Sequence, residues 1–489
     1  MDFMKRILHL LIWLIVMLLI IIIIKTILFR SLQVQAGKIN IVSFGNESVN
    51  HLSGAVKFPT VSYSTTSPVD TGVFTGYMAF ITKTYPEIAG KLTREVFNNF
   101  SLLYTWKGKN PSLKPMILMA HYDVVPPGDT ASWEKNPFSG ENDGKFIWGR
   151  GTLDDKAAMI SILEAVEKLL TEGYIPERTI YLSFGHDEEL FPSKGAEAIA
   201  NSLKERGVEA EFVLDEGMAV TVGMVPMMKK PVALIGTSEK GSISVKLTVD
   251  MAGGQASMPE KESALIVMDR AIISLVNHQM KAKITGPVND FIRYIGPEMP
   301  FYAKAIFANK WLFRGIILKI YQGSGSGNAL VRTTTAPTII QAGIKENVIP
   351  TKAEAIINFR ILSGETSDDV LNHIEKVVAD KRIKISPLEE GISEPAPVSP
   401  TNVPDFLNIV TVLRQVYPEA VVAPTLMLSS SDSKHFSVVT KNIYKFAPII
   451  VNSEDMTRIH GLNERTSIED FKRGISFYYH LIKINNQQL

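Results

Sequence analysis

Cysteine is absent from all 489 residues. Disulfides and thiolate metal sites are thereby excluded, and any bound metal must be held by imidazole or carboxylate groups. The absence fits an oxidising compartment, but cytosolic chains also dispense with the residue, so it does not fix location. An excess of one charge is missing too: 51 basic residues against 50 acidic ones leave a net charge of +1, with no long basic run. That excludes nucleic acid as a partner. At 45% hydrophobic and 21% charged the composition is globular, and the length implies more than one domain.

One long hydrophobic run is present. Residues 7–24 are almost unbroken Leu, Ile, Val, Met and Trp, with Lys5 and Arg6 before them and Lys25 and Arg30 after. A spanning helix needs about 20 apolar residues, and the run reaches that length at Phe29 if Lys25 snorkels to the headgroups. It reads as an uncleaved N-terminal transmembrane anchor. A cleaved signal peptide is the alternative, since Val34 and Ala36 resemble a cleavage site, although the run exceeds a usual signal core. Basic residues on both sides leave the orientation unset. The expected location is membrane-anchored with the main body outside the cytoplasm, or secreted after cleavage. Glycosylation sequons begin at Asn46 and Asn99.

Beyond a polar stretch, apolar runs and amphipathic patterns alternate. A helix is expected over 73–85, strands over 101–106 and 116–120, a helix over 157–170, a strand over 179–184, a helix over 195–204 and a strand over 211–214. This alternation predicts an α/β fold with a mixed, largely parallel sheet flanked by helices. From about residue 236 the pattern changes to antiparallel, two-layered character, with strands over 242–250 and 353–362 and helices over 262–278 and 367–378. The expected domains are 1–36 (anchor or signal with linker), 37–236 (catalytic, first part), 237–364 (a smaller inserted α/β layer) and 365–489 (catalytic, second part). Residues 284–326 of the insert are dense in aromatics, including Phe301, Trp311 and Tyr321, and read either as extra core or as an apolar substrate wall or membrane contact.

The chemistry lies at the strand ends. In open sheets of this class ligands gather outside the carboxyl ends of the strands, where His121, the pair Glu188 and Glu189, and Asp215 fall. Asp154 sits in a glycine-rich loop that opens a helix. Hydrolytic zinc takes imidazole and carboxylate ligands and keeps an open position for water, and two ions sharing one carboxylate can activate a water between them. Asp154 is the natural bridge, His121 and Asp215 would complete one ion's shell, and Glu189 and His460 the other's. Asp123 suits an acceptor that fixes the His121 tautomer. Neighbouring residues on an extended segment point opposite ways, so one glutamate binds metal and Glu188 is free as the base that passes a proton from water to the departing amine. Singly, a glutamate pair is more often an exposed loop and a lone histidine more often structural; the combination carries the reading.

HYDVVPP from His121, GRGTLDDK from Gly149, GHDEEL from Gly185, LDEG from Leu214 and RIHGLNE from Arg458 resemble, in order, the motifs of the di-zinc aminoacylase and carboxypeptidase family of metallopeptidases, nearest its carboxypeptidase S and N-fatty-acyl-amino-acid synthase/hydrolase branch. The resemblance extends from about residue 58 onward. It implies two zinc ions bridged by Asp154, Glu188 as general acid and base, and a cis peptide between Asp154 and Asp155. It also implies that the insert is a lid through which the protein forms a homodimer. NVIP at Asn347 and NFR at Asn358 resemble lid segments that give Asn347 and Arg360 substrate-binding roles. An arginine fork suits a terminal carboxylate.

One position departs from that pattern. Where relatives read GGHSSMP this chain reads GGQASMP, so Gln255 stands where the family has a histidine that steadies the developing oxyanion across the dimer. Glutamine donates a hydrogen bond but carries no charge. The resemblance implies hydrolysis of the amide between an acyl or aminoacyl group and a C-terminal amino acid, on a small peptide or an N-acyl amino acid. A long-chain N-acyl-amino-acid synthase/hydrolase acting on lipids is one alternative, and a weakly active or non-catalytic binding relative is another. The loop SSSDSKHF around Asp432 resembles the family's polar substrate loop.

Overall fold

The central sheet is built on a run of six buried residues, Met116–His121. It pairs in parallel with Ile180–Gly185 on one side and Phe212–Asp215 on the other. A strand enclosed in this way reads as one apolar run instead of an alternation. Its two faces still serve different cores, because successive side chains point to opposite sides. Met116 and Leu118 join the larger core with the helix Lys156–Thr171, while Ile117 and Met119 join a smaller one with the helix Gly195–Glu205.

The computed structural model describes residues 2–486 apart from 38, 40, 191–192 and 389–390. Across the central sheet the order is Thr93–Phe97, Ser101–Trp106, Ile180–Gly185, Met116–His121, Phe212–Asp215, Ile443–Lys445, Val232–Glu239, Val220–Thr221 and Ile450–Val451. Val421–Met427 adds in parallel to Val232–Glu239. The first three strands pair antiparallel and the centre is parallel, giving a mixed α/β sheet. The helices Pro404–Val416 and Ile468–Ile484 close the larger core beside Lys156–Thr171. Because the three middle strands run the same way, their carboxyl ends open on one side, and in register His121 lies opposite Gly185.

The inserted layer is a separate antiparallel sheet in the order Thr334–Ala342, Lys352–Ile361, Gly241–Asp250 and Ile383–Pro387. Gly241–Asp250 alternates strictly between buried and half-buried residues, as a strand with one covered face should. Its core gathers Ile243, Val245, Leu247 and Val249 with the helices Ala264–Asn277 and Ser367–Val378. The sheet pairing carries this layer past the expected limit at 364. Val370 and Ile374 pack onto it, and Ile383–Pro387 pairs with Gly241–Asp250.

The aromatic-rich segment leaves the insert altogether. Its helices Gly286–Ile295, Phe301–Ala308, Lys310–Tyr321 and Gly325–Val331 place Val288, Ile292, Tyr294, Phe307 and Ile317 in the larger core of the central sheet. Beside them runs the helix Asp2–Leu28. Its stretch Phe3–Leu28 is long and apolar enough to cross a membrane, and nearly all of its large apolar side chains are exposed.

Candidate active site

Asp154 stands between two histidines. Its Oδ1 lies 3.0 Å from His121 Nε2 and its Oδ2 lies 3.0 Å from His460 Nε2. Glu189 Oε2 is 3.3 Å from that same His460 nitrogen. Two donor groups therefore share Asp154: one is His121, Asp154 and Glu216, the other Asp154, Glu189 and His460, with the ligand atoms of each within 4.8 Å of one another.

Local structure explains the placement. His121 ends its strand, and the Asp154 loop is shaped by glycines that nothing larger could replace. At Gly149, φ is +142° and an added Cβ would meet Val56 Cγ1 at 2.3 Å and Pro137 O at 2.8 Å. The peptide between Asp154 and Asp155 is cis, as the motif resemblance implies. His460 adopts φ +60°, an uncommon left-handed conformation for a residue with a side chain. Glu464, four residues on and fully buried, ties the two loops together. Its Oε1 accepts the backbone N–H groups of Gly151 at 3.0 Å and Leu153 at 2.7 Å, and its Oε2 accepts Arg150 Nη1 at 2.5 Å. Arg150 in turn donates to the carbonyl of Gly461 at 2.8 Å.

Asp123 organises the glutamate pair as well as the imidazole. Its carboxylate accepts the backbone N–H of Glu188 and of Glu189, each at 3.1 Å, and the hydroxyl of Ser62 at 2.8 Å. It also lies 3.3 Å from His121 Nδ1. Held by these bonds, the turn sends Glu189 toward His460, and both glutamates line a cavity of about 500 Å³ that Arg360, Ser193, Ser430 and Lys434 also border.

Acid–base behaviour follows from this crowding. Burial lifts the pKa values of Glu188 and Glu216 well above the usual carboxylate range, and neighbouring carboxylates, Asp154 among them, lift both further. Despite its own burial, Asp154 is held low by His121 and His460. Burial opposes protonation of His121, yet its bonds to Asp123 and Asp154 raise it. His460 is pushed up to about 10 by Asp154 and then Glu189. Buried carboxylates in such number are costly without cations. Glu189 Oε1 is buried without a hydrogen-bond partner among the described residues. An all-oxygen-and-nitrogen donor set with an orphaned carboxylate oxygen fits a metal ion.

Of the residues singled out in the sequence, His121, Asp123, Asp154, Glu188, Glu189 and His460 come together, and Arg360 opens on the same cavity. Asp215 is placed otherwise. Its Oδ2 accepts the backbone N–H of Ser433 at 2.9 Å, and it belongs to neither donor group among the described residues; the next residue, Glu216, faces His121 and Asp154 instead. A strand end locates the place, but successive side chains point opposite ways, so the carboxylate that reaches this donor group is one residue further on. Gln255 and Asn347 sit apart from the cavity, side by side on the exposed ribbon where Gly254–Gln255 pairs with Val348–Ile349. The backbone N–H of Ala256 donates to the Asn347 carbonyl at 3.2 Å. Glu464 was missed, although RIHGLNE contains it: a buried acid at the end of a histidine motif, with Arg150 in the partner motif, was the available signal.

A mixed α/β sheet with imidazole and carboxylate donors around a shared aspartate at its strand ends is the architecture of a metal-dependent hydrolase. The chain belongs to peptidase family M20/M25/M40, whose family model matches residues 117–484. It is 40% identical over 449 residues to "Probable carboxypeptidase S-like 2" of Dictyostelium discoideum, covering 91% of this chain and 86% of that protein. It is also 40% identical over 439 residues to "N-fatty-acyl-amino acid synthase/hydrolase PM20D1" of Xenopus tropicalis, covering 89% and 85%. The fold matches that of the M20 family metallo-carboxypeptidase Sso-CP2 from Sulfolobus solfataricus, with a TM-score of 0.65 at 17% identity, covering 91% of this chain and all of that one. The protein is a hydrolytic enzyme of the carboxypeptidase-like, metal-dependent M20 type.

Proposed function

We propose that the protein hydrolyses the amide bond joining an acyl or aminoacyl group to a C-terminal amino acid, with two zinc ions as cofactors. The observation that carries this reading is the shared Asp154, which offers one carboxylate oxygen to each of two histidines at 3.0 Å. His121, Asp154 and Glu216 would hold one ion, and Asp154, Glu189 and His460 the other. Bound there, the ions supply Lewis acidity toward the scissile carbonyl and make water a better nucleophile near neutral pH.

The chain's own groups do the rest. Glu188 accepts a proton from the attacking water and returns it to the amine nitrogen as the C–N bond breaks. Asp123 keeps the His121 ring oriented. Arg360 donates two parallel N–H bonds to the free carboxylate of the substrate, which selects substrates ending in an unblocked amino acid. Gln255 and Asn347 are assigned to the site of a second copy, in a homodimer formed through the inserted layer acting as a lid. There the Gln255 amide donates to the developing oxyanion without the charge that a histidine would bring.

Two substrate classes fit. Small peptides suit the carboxypeptidase S-like relative's name. Long-chain N-acyl amino acids suit the PM20D1 relative's name and the exposed apolar helix Asp2–Leu28, which we read as a single membrane anchor with the body outside the cytoplasm. Zinc-loaded protein given an N-oleoyl amino acid and, separately, a blocked dipeptide separates the two by kcat/KM. Turnover of neither would remove both classes, and with them amide hydrolysis at this centre.

A further inference from the structure

The helices Phe301–Ala308 and Lys310–Tyr321 carry apolar side chains on two opposite sides. Along the second, Ile317 is fully buried and Leu318 and Tyr321 pack on the main core. On its outer side Leu312, Ile316 and Ile320 recur every four residues and are 41%, 50% and 53% exposed. Phe301, Tyr302 and Trp311 are exposed as well, at 65%, 62% and 54%. Helices with apolar side chains on both their inner and outer sides belong in a core or in lipid, and these lie only half in a core. Contiguous exposed apolar patches mark interaction sites.

What stands beside the patch identifies its occupant. Asn309, buried between the two helices, donates its Nδ2 to the Ile22 carbonyl at 3.1 Å and to Thr26 Oγ1 at 3.3 Å. The Lys25 ammonium lies 5.2 Å from the centre of the Trp311 ring. A few residues on, Gln33 exchanges two hydrogen bonds with the Val422 backbone, both at 2.9 Å. The N-terminal helix is thus docked on the body by its last turns. In a spanning helix Lys25 marks the headgroup level, and Trp311 beside it then sits at the depth where tryptophan collects. Residues 301–321 also include Lys304, Lys310, Arg314 and Lys319 and no acidic residue, which complements anionic headgroups.

We propose that Phe301–Ala308 and Lys310–Tyr321 lie in the interface of the bilayer that Asp2–Leu28 crosses, with Leu312, Ile316 and Ile320 among the acyl chains and Lys304, Arg314 and Lys319 on anionic headgroups, while Lys310 is held by Asn289. The proposal rests on reading Asp2–Leu28 as a membrane span. It fixes the body against the lipid surface through two independent elements, where a single tether would leave it free to swing.

The natural lack of cysteine makes the test clean. Single-cysteine variants Ile316→Cys and Ile320→Cys are labelled with an environment-sensitive fluorophore and reconstituted, as full-length protein, in vesicles of phosphatidylcholine and phosphatidylserine. Ile344→Cys, on a turn that is 96% exposed, is the aqueous reference, and Ile15→Cys reports the span itself. Lipids carrying a nitroxide high on the acyl chain should quench the probes at 316 and 320 several-fold more strongly than the probe at 344. Quenching at 15 with water-like behaviour at 316 and 320 overturns the interfacial assignment alone. Probes at 316 and 320 that are shielded from water yet not quenched by lipid overturn it in favour of a second copy of the chain. Failure of quenching at 15 overturns the membrane span, and the interfacial assignment with it.

Discussion

Arg150 and Glu464 form an ion pair 2.5 Å apart with side-chain exposures of 1% and 0%. They come from the two loops that present Asp154 and His460, so a bond between residues 314 apart in sequence sets the separation of two members of the candidate donor groups. Buried pairs of this kind specify geometry more than they add stability, and here the geometry specified is that of the catalytic centre.

Replacing Glu464 with alanine removes the counter-charge of Arg150 and frees the loop N–H groups of Gly151, Leu153 and Asp154. Loss of one partner of a buried pair costs about 3–5 kcal/mol. Denaturant unfolding should show a loss of that order, and metal affinity should fall by about 10-fold to 100-fold as the supporting shell loosens. An unfolding midpoint equal to that of the wild type would contradict the role.

Glu188→Ala and Glu189→Ala should separate chemistry from metal binding. Loss of a general acid–base group lowers turnover by about 100-fold to 10,000-fold, so Glu188→Ala should be nearly inactive while retaining its metal. Glu189→Ala should lower the metal content itself. Elemental analysis beside kcat distinguishes the two, and reversed results would exchange the roles.

Glu216→Ala should reduce metal content, whereas Asp215→Asn, whose wild-type carboxylate accepts from Ser433, should reduce it far less. Zinc titration by calorimetry of both variants decides between them. Selective loss in Asp215→Asn would restore the strand-end residue as the ligand.

Gln255→His adds a donor that can carry charge. One oxyanion donor is worth about 100-fold to 1000-fold in turnover, part of which the glutamine amide already supplies, so kcat should rise by about tenfold. A slower variant would mean that the glutamine is fitted to the natural substrate.

Removing metal with a chelator should destabilise the protein, because the buried carboxylates around Asp154 lose their counter-charge. Ligand linkage gives about 2.7 kcal/mol of stabilisation at a free zinc concentration of one hundred times Kd. Thermal unfolding with and without added zinc reads the effect, and coincident curves would argue against bound ions.

His121 and the glutamate pair were legible because they follow apolar runs, and an apolar run enclosed on both sides is the strongest strand signal in this chain; His460 was legible only through the motif around it. His121 and the glutamate pair were placed by that rule. Glu216 was not, since strand period says that neighbours diverge without saying which neighbour faces His121 and Asp154. The limit of the inserted layer near 364 escaped because Val370 and Ile374 form an amphipathic stripe that would suit either layer. The aromatic stretch at 284–326 was legible as apolar, but no periodicity tells a segment which of two cores it will join.

The second donor group also has a schedule. His460 lies 306 residues after Asp154, so on the ribosome His121, Asp154 and Glu216 emerge together while the partner imidazole has yet to be synthesised. A chain cut ahead of His460 would therefore lose one donor group while still carrying every residue of the other.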